Sequence, residues 1–350
     1  MRRKKRQVTI KDLARKLDVS VSTVSRALRG AEDINKETKK AVLALAEELD
    51  YQPNTIAMSL VNKKTNTIGV IVPELAMHFF ASAIGGIQDY AARKGYNVMI
   101  CQSNENYETE MANTETLVKS RVDGLIVSCS RQTSDYSHFE RLLGKGHPLV
   151  FFDRIPGKPL PASSVIVDDY QGAFNAVTHL LDSGCKRVAH LSGPDYMLIS
   201  RQREKGYRDA LEAKGIPFDE SLVKRCDLLR NDAYDKTLEF LSEDNIDGIF
   251  AITDPVAMQA IRALKAEGKS IPEDVSVVGF TDEPVNDMLT PSLTSVRQPA
   301  YELGENAAKL LLEQIEAYHS EEAEEPPVRT ALVKTTLMER GSTKTLETVS

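Results

Sequence analysis

At 350 residues the chain is longer than one compact core usually holds, so two or three domains are expected. Its formal net charge of −7 is unevenly placed: residues 1–64 hold 15 Lys/Arg against 8 Asp/Glu, a net of +7, and residues 65–350 hold 29 against 43, a net of −14. A basic end on an acidic body suits a protein in which only that end meets phosphates. No stretch reaches the 18 apolar residues that would span a bilayer, which excludes a membrane partner at this level of reading. The basic start, Arg2 to Arg6, is not followed by an apolar run, so no export signal is read and a cytoplasmic protein is expected. Cys101, Cys129, Cys185 and Cys226 are widely spaced with no Cys-x-x-Cys pair, as free thiols would be, and neither metal nor cofactor is expected.

In chain order, residues 9–17, a break at Asp18, Val19 and Ser20, and residues 21–29 read as two short helices with helix-turn-helix spacing. Thr9 and Ser20 stand where hydroxyls cap helices. Leu13, Leu17, Val19, Val24 and Leu28 recur at helical intervals as a small core, and Ala14 allows close approach of the backbones. The opposite face of the second helix holds Val21, Ser22, Ser25, Arg26 and Arg29, polar and cationic groups of a size to enter a DNA groove. Residues 35–51 form a third amphipathic helix, stopped by Gln52, Pro53 and Asn54. Residues 55–64 offer one more short helix whose Ile56, Leu60 and Val61 find little to cover them in a monomer. Two copies in a DNA minor groove would bury them, with Leu60 as an apolar wedge between bases.

The segments Thr9-Ile10-Lys11-Asp12-Leu13-Ala14, Val19 to Leu28, Leu49 to Asn54 and Ala57-Met58-Ser59-Leu60 resemble the headpiece and hinge of the LacI/GalR family of bacterial regulators, a likeness that runs on to about Arg340. It implies a homodimer, with further pairing of dimers left open, on a double-stranded operator. The DNA-contacting set implied is Thr9, Lys11, Ser20, Val21, Ser22, Thr23, Ser25, Arg26, Asn35, Tyr51, Asn54, Ala57, Leu60 and Lys63. Two positions depart from the family pattern. Asp18 replaces the frequent Gly of the turn, and Met58 stands where Arg is common in the hinge.

Beyond Lys64, uninterrupted β-rich runs at residues 68–72, 97–101, 124–127, 149–152 and 164–167 alternate with amphipathic helices at 79–94, 108–120 and 136–145. The pattern repeats with strands at 187–191, 248–252 and 275–279 and helices at 170–183, 203–214, 233–243 and 255–267. Runs without polar alternation belong to strands covered on both faces, so the fold class is α/β. Two doubly wound parallel-sheet lobes, like those of periplasmic binding proteins, follow an all-α headpiece. Residues 291–296 read as a strand and 301–318 as a long helix returning to the first lobe. The expected domains are a headpiece at 1–52, a hinge at 53–67 and a two-lobed body at 68–340. Lobe 1 takes 68–167 and 299–327, lobe 2 takes 168–298 and 328–340, and 341–350 is a polar tail.

Ligands of such sheets sit at the carboxyl ends of strands. Those ends offer Phe79 and Phe80, which either stack on a ligand ring or belong to the core, then Ser128 and Ser130, Asp153 with Arg154, Ser200 with Arg203, and Asp254. The family resemblance implies an effector pocket at Phe79, Phe80, Ser128, Ser130, Asp153, Arg203, Leu228 and Thr281. Thr281 stands where an acid is usual and Leu228 where an aromatic is frequent, and Met197 and Ile199 make the adjoining loop apolar. A sugar or sugar derivative is therefore expected as the effector rather than a purine. Two rivals were weighed. A periplasmic sugar-binding protein lacks reason for the basic headpiece, and an enzyme would show a phosphate-cradling glycine motif or a catalytic constellation, which this chain does not.

Overall fold

The computed structural model describes residues 8–31, 33–51, 64–227, 232–243, 245–319 and 326–345. It separates into two units, residues 1–65 and 66–350. The predicted hinge segment with Asn54, Ala57, Leu60 and Lys63 lies outside the described residues, as do Leu228 and most of the acidic stretch at 321–327.

The first unit is built on α1 (Ile10–Lys16), α2 (Val21–Leu28) and α3 (Lys36–Glu48). Their shared core is Leu13, Ala14, Val24, Ala27 and Val42, with Ile10, Leu17, Val19, Leu28, Leu45 and Tyr51 packed around it. Helices this short are not stable alone, so this burial is what holds them. The α1–α2 turn needs a residue at positive φ, and Asp18 supplies it at 52°. Ser20 Oγ accepts the Thr23 N–H at 3.0 Å and Asn35 Oδ1 accepts that of Glu37 at 2.8 Å, closing the N-termini of α2 and α3. At α1, Thr9 and Asp12 form a capping box in which the Asp12 carboxylate accepts both the Thr9 N–H (2.9 Å) and the Thr9 hydroxyl (2.7 Å).

The second unit contains two six-stranded sheets. Strands β1 (Thr67–Val72), β2 (Asn97–Gln102), β3 (Gly124–Val127), β4 (Leu149–Phe152), β5 (Ser163–Val167) and β11 (Thr330–Val333) form the first, in the order β11-β5-β4-β3-β1-β2. Strands β6 (Val188–Ser192), β7 (Val223–Arg225), β8 (Gly248–Ala251), β9 (Ser276–Thr281), β10 (Thr294–Arg297) and β12 (Thr336–Met338) form the second, in the order β12-β10-β9-β8-β6-β7. Every pairing is parallel except β10 with β12. Helices α4 (His78–Arg93), α5 (Tyr107–Lys119), α6 (Ser137–Leu143) and α11 (Ala300–His319) flank the first sheet; α7 (Asp169–Asp182), α8 (Leu198–Ala213), α9 (Ala233–Glu243) and α10 (Asp254–Ala266) flank the second.

Close packing of α4 on α11 fixes where α4 begins. A Cβ on Gly304 would run into the Ala83 carbonyl, and one on Gly86 into that of Tyr301, so only glycine lets the two backbones approach. That contact sets Phe79 and Phe80, in the first turn of α4, against the core at the carboxyl edge of the first sheet.

One expectation is corrected. The third lobe crossing was placed near Pro327, which put residues 328–340 in lobe 2, yet β11 pairs with β5 inside the first sheet and the chain crosses at Lys334 and Thr335. The polar tail from Gly341 need not fold by its composition, yet Ser342 is fully buried. Its hydroxyl donates to the Val277 carbonyl at 2.6 Å and accepts the Thr294 N–H at 2.8 Å, while the Thr343 hydroxyl meets His179 Nε2 at 2.8 Å. Burying two hydroxyls with their partners satisfied is what makes that docking stable.

Candidate functional site

On the first unit, α2 buries Val24 and Ala27 and turns Val21, Ser22, Arg26 and Arg29 outward. Val21 is 41% exposed on this face. Arg26 forms an ion pair with Asp33, both about half exposed, so its guanidinium is held beside the helix face and can be released by a competing anion or base edge. Arg29 folds back to the Ser25 carbonyl at 3.3 Å. Ser20 is committed to its cap and also contacts the hydroxyls of Ser22 and Thr23, each at 2.7 Å. Of the predicted set, then, Thr9, Ser20 and Asn35 organise helix ends, whereas Lys11, Val21, Ser22 and Arg26 remain exposed for contact. Thr23 and Ser25 are half-buried, and Tyr51 packs on the core, where burial raises its hydroxyl pKa.

In the second unit, a small crevice of about 40 Å³, partly open to solvent, lies between the ends of the first-sheet strands and the start of α8. One wall is Cys129, Ser130, Arg131, Thr133, Arg154 and Ile155; the other is Tyr196, Met197, Leu198 and Ile199. Beneath it the predicted residues come together. Phe79 and Phe80 stand edge to face at 5.2 Å, and the Arg154 guanidinium lies 5.7 Å from the Phe80 ring centre. Phe79 and Phe80 are both buried in the core of the first lobe. Ser128 Oγ donates to Asp153 Oδ2 at 3.4 Å.

Asp153 has φ 57° and is buried. Removal from water drives its carboxyl up to about 6, against the pull of Arg154 and Arg203 and with a further push from Asp169. Arg203 and Asp169 belong to the other lobe, so Asp153 feels charges from both sides of the crevice. Arg203 is itself almost fully buried. Its Nε donates to Asp169 Oδ1 at 2.8 Å, Nη2 lies 2.7 Å from the same oxygen, Nη1 donates to the Ile252 carbonyl, and its Cζ sits 3.6 Å over the Phe280 ring. Ser200 lies buried at the start of α8 with its hydroxyl unpartnered.

Three predicted residues are placed otherwise. Asp254 is fully enclosed, and its oxygens accept from Ser295 Oγ (2.6 Å), the Glu283 N–H (2.8 Å) and Asn286 Nδ2 (2.9 Å). It ties down the loop after β9, with three of its acceptor positions taken. Ser130 lines the crevice, but its N–H donates to Glu110 Oε2 and its hydroxyl to Ser103 Oγ. Thr281 ends β9 with φ 134°, and the acid beside it, Asp282, is bound by Arg297 at 2.6 Å and Arg340 at 2.8 Å.

Sequence reasoning missed Glu105 and Arg131. Glu105 Oε1 and Oε2 accept from Arg154 Nη1 at 2.6 and 2.9 Å, and Oε2 also accepts the Arg131 N–H at 2.9 Å. The available signal was positional: Glu105 follows β2 and Arg131 follows β3, both at carboxyl ends of strands. Among the described residues no cluster of His, Cys, Asp or Glu is set to hold a metal ion, and no helix is long and apolar enough to cross a membrane.

Comparison with known proteins agrees with this geometry. The pattern for bacterial regulatory proteins of the lacI family matches residues 9–54, and that for a periplasmic binding protein-like domain matches residues 177–343. The ribose operon repressor of Halalkalibacterium halodurans is 36% identical over 88% of this chain and 90% of its own length. Among solved structures, a transcriptional regulator CelR–cellobiose complex is 30% identical with a TM-score of 0.72, covering 96% of this chain and 100% of that one. A lac repressor dimer bound to operator and the anti-inducer ONPF is 25% identical with a TM-score of 0.81, covering 96% and 99%.

Proposed function

This chain belongs to the LacI family of bacterial transcription regulators, and from that premise we propose that it represses its targets as a dimer whose grip on a near-palindromic operator is set by a small sugar-like effector. It is a regulator and not an enzyme. Each α2 enters one major groove, with Arg26 and Ser22 on base edges or adjacent phosphates and Val21 against a thymine methyl. Lys11, Lys63 and Lys64 hold the backbone. The hinge segment with Asn54, Ala57 and Leu60 pairs with its copy in the minor groove, where Leu60 kinks the duplex. An effector in the crevice changes the angle between lobes, and a coupling of about 1–3 kcal/mol shifts operator affinity about 5–150-fold.

The observation that carries this reading is the division of α2 into an inward face of Val24 and Ala27 and an exposed face of Val21, Ser22 and Arg26 on a net-positive unit. The sugar-binding part draws support from the CelR complex with cellobiose and the ribose operon repressor among its relatives. The test is selection of duplexes from a random pool by the purified protein, followed by fluorescence anisotropy on the selected sequence from 50 to 200 mM salt. A near-palindrome should be enriched, with affinity falling about 10³–10⁵-fold across that range if 6–10 phosphates are contacted. Failure to prefer any duplex over random competitor would refute it.

A further inference from the structure

Among the described residues on the walls of the crevice, the charged side chains are Arg131 and Arg154, with the carboxylates of Glu105 and Asp153 set behind them. Both are withdrawn from water: the Arg131 side chain is 6% exposed and that of Arg154 15%. They share the single carboxylate of Glu105, whose oxygens are already occupied by Arg154 Nη1 and the Arg131 N–H. Arg131 Nε lies 3.5 Å from Glu105 Oε1, outside hydrogen-bond geometry, and Arg154 Nε is 3.9 Å from Asp153 Oδ2. Both Nε atoms are buried with no hydrogen-bond acceptor. The neighbouring acid Glu110 is consumed by the Ser130 N–H, the Thr133 hydroxyl and His138 Nε2. Tyr136 Oη accepts the Gly157 N–H at 2.9 Å, which leaves its own O–H free to donate into the same space.

A buried guanidinium donor without an acceptor is costly, and a neutral sugar hydroxyl satisfies it less well than an ionised oxygen. The geometry points to an effector that carries an oxyanion: a small polyol bearing one phosphate monoester or carboxylate. The anionic group docks on Arg131, Arg154 and the Tyr136 hydroxyl, while its carbon skeleton lies along Met197, Leu198 and Ile199. This rests on the assignment of the crevice as the effector site.

The test uses the full-length protein without DNA. Thermal shift and calorimetry are run with matched sets: ribose and ribose 5-phosphate, glucose and glucose 6-phosphate, gluconate and glucuronate, and inorganic phosphate alone. At least one sugar phosphate or sugar acid should bind about 100-fold more tightly than its neutral parent, as two charge-assisted hydrogen bonds imply. The phosphate and carboxylate arms tell the two oxyanions apart. Arg131→Gln should cut the preference about tenfold or more while the melting temperature without ligand stays near that of the parent protein. Tyr136→Phe, which keeps both guanidiniums, should cut it by a smaller factor and serves if Arg131→Gln fails to fold. Neutral sugars binding as tightly as their anionic partners, no response to any anion, or full preference in both variants would each overturn the proposal. Selection of duplexes is read separately, so loss of DNA preference would fall on the regulator reading alone.

Discussion

Replacing Asp153 by Asn isolates the electrostatics at the centre of the crevice. Asn matches Asp in shape and tolerates φ near 57°, so the backbone has no reason to move. The native carboxyl is buried and displaced from 3.8 to about 6, mainly by loss of hydration. Because the folded state binds this proton more tightly than the unfolded one, stability falls as pH rises from about 4 to about 6 and stays low above. A displacement of this size corresponds to about 3 kcal/mol at pH 8, of which about half is already incurred at pH 5. Asp153→Asn should therefore be the more stable protein at pH 8 relative to its parent, and that advantage should shrink by about half at pH 5. Urea unfolding of both proteins at the two pH values measures it, and taking the difference of differences cancels the other titrating groups. If the gap between variant and parent is the same at pH 5 and pH 8, the buried-carboxylate argument is wrong. The same variant should bind its effector more weakly, since the carboxylate faces both lobes.

Arg26→Ala should lose operator discrimination by about 1–3 kcal/mol while binding to random duplex changes little, measured by anisotropy against both; equal losses would count against base reading. Arg203→Ala strands Asp169 as an unpaired buried charge and should cost the body about 3–5 kcal/mol in urea unfolding, whereas Arg203→Lys should recover part of it; a neutral Arg203→Ala would show that Asp169 has other partners. Ser342→Ala leaves the Thr294 N–H without its acceptor and should cost about 1–3 kcal/mol, read as a lower melting temperature, while leaving duplex selection unchanged.

How far the amino-acid order exposed this molecule depended on whether a residue's partner was local. The strands β1, β3, β4, β8 and β9 were readable because both their faces are covered, so nearly every residue in them is apolar. Strand β7 was invisible: its three residues Val223, Lys224 and Arg225 are half-buried at a sheet edge and carry no apolar signature. Strands β11 (Thr-Ala-Leu-Val) and β12 (Thr-Leu-Met) are short, mostly apolar edge strands of different sheets separated by only Lys334 and Thr335, so nothing local marks where the chain changes lobe, and the third crossing was misplaced by several residues. The turn at Asp18 and the cap at Ser20 were legible because their partners lie a few positions away. Glu105 with Arg154, 49 positions apart, and Asp254 with Asn286, 32 apart, could be paired only by the fold. Strand-end position singles out Asp153 and Asp254 alike, because both follow strands; only tertiary contacts show that Asp254 already accepts three hydrogen bonds.

The three crossings bear on how an effector could be felt beyond its own pocket. At the first, Asp168 caps α7 through the Gln171 N–H at 2.9 Å, and its backbone N–H donates to the Val333 carbonyl at 3.0 Å on the chain that leads into the third. The Thr335 hydroxyl of that third crossing returns to the Asp168 carbonyl at 3.4 Å. The first and third crossings are thus bonded to each other, so they cannot bend independently. The second, at Gln298 and Pro299, is attached to the turn after β9 through the Gln298 N–H to the Thr281 carbonyl at 3.4 Å. If an effector closes the lobes, the bonded crossings move together, and a ligand with different affinity for open and closed forms biases that movement. The chain enters the body at Asn66, whose N–H donates to Asp123 Oδ2 at 2.8 Å and whose carbonyl accepts the Asn97 N–H at 2.8 Å, so the incoming segment is fastened to lobe 1. Any rotation of lobe 1 is then carried into residues 64–66. Cutting that fastening with Asp123→Ala should leave effector binding intact and reduce the effector's influence on duplex affinity; an undiminished influence would place the coupling elsewhere.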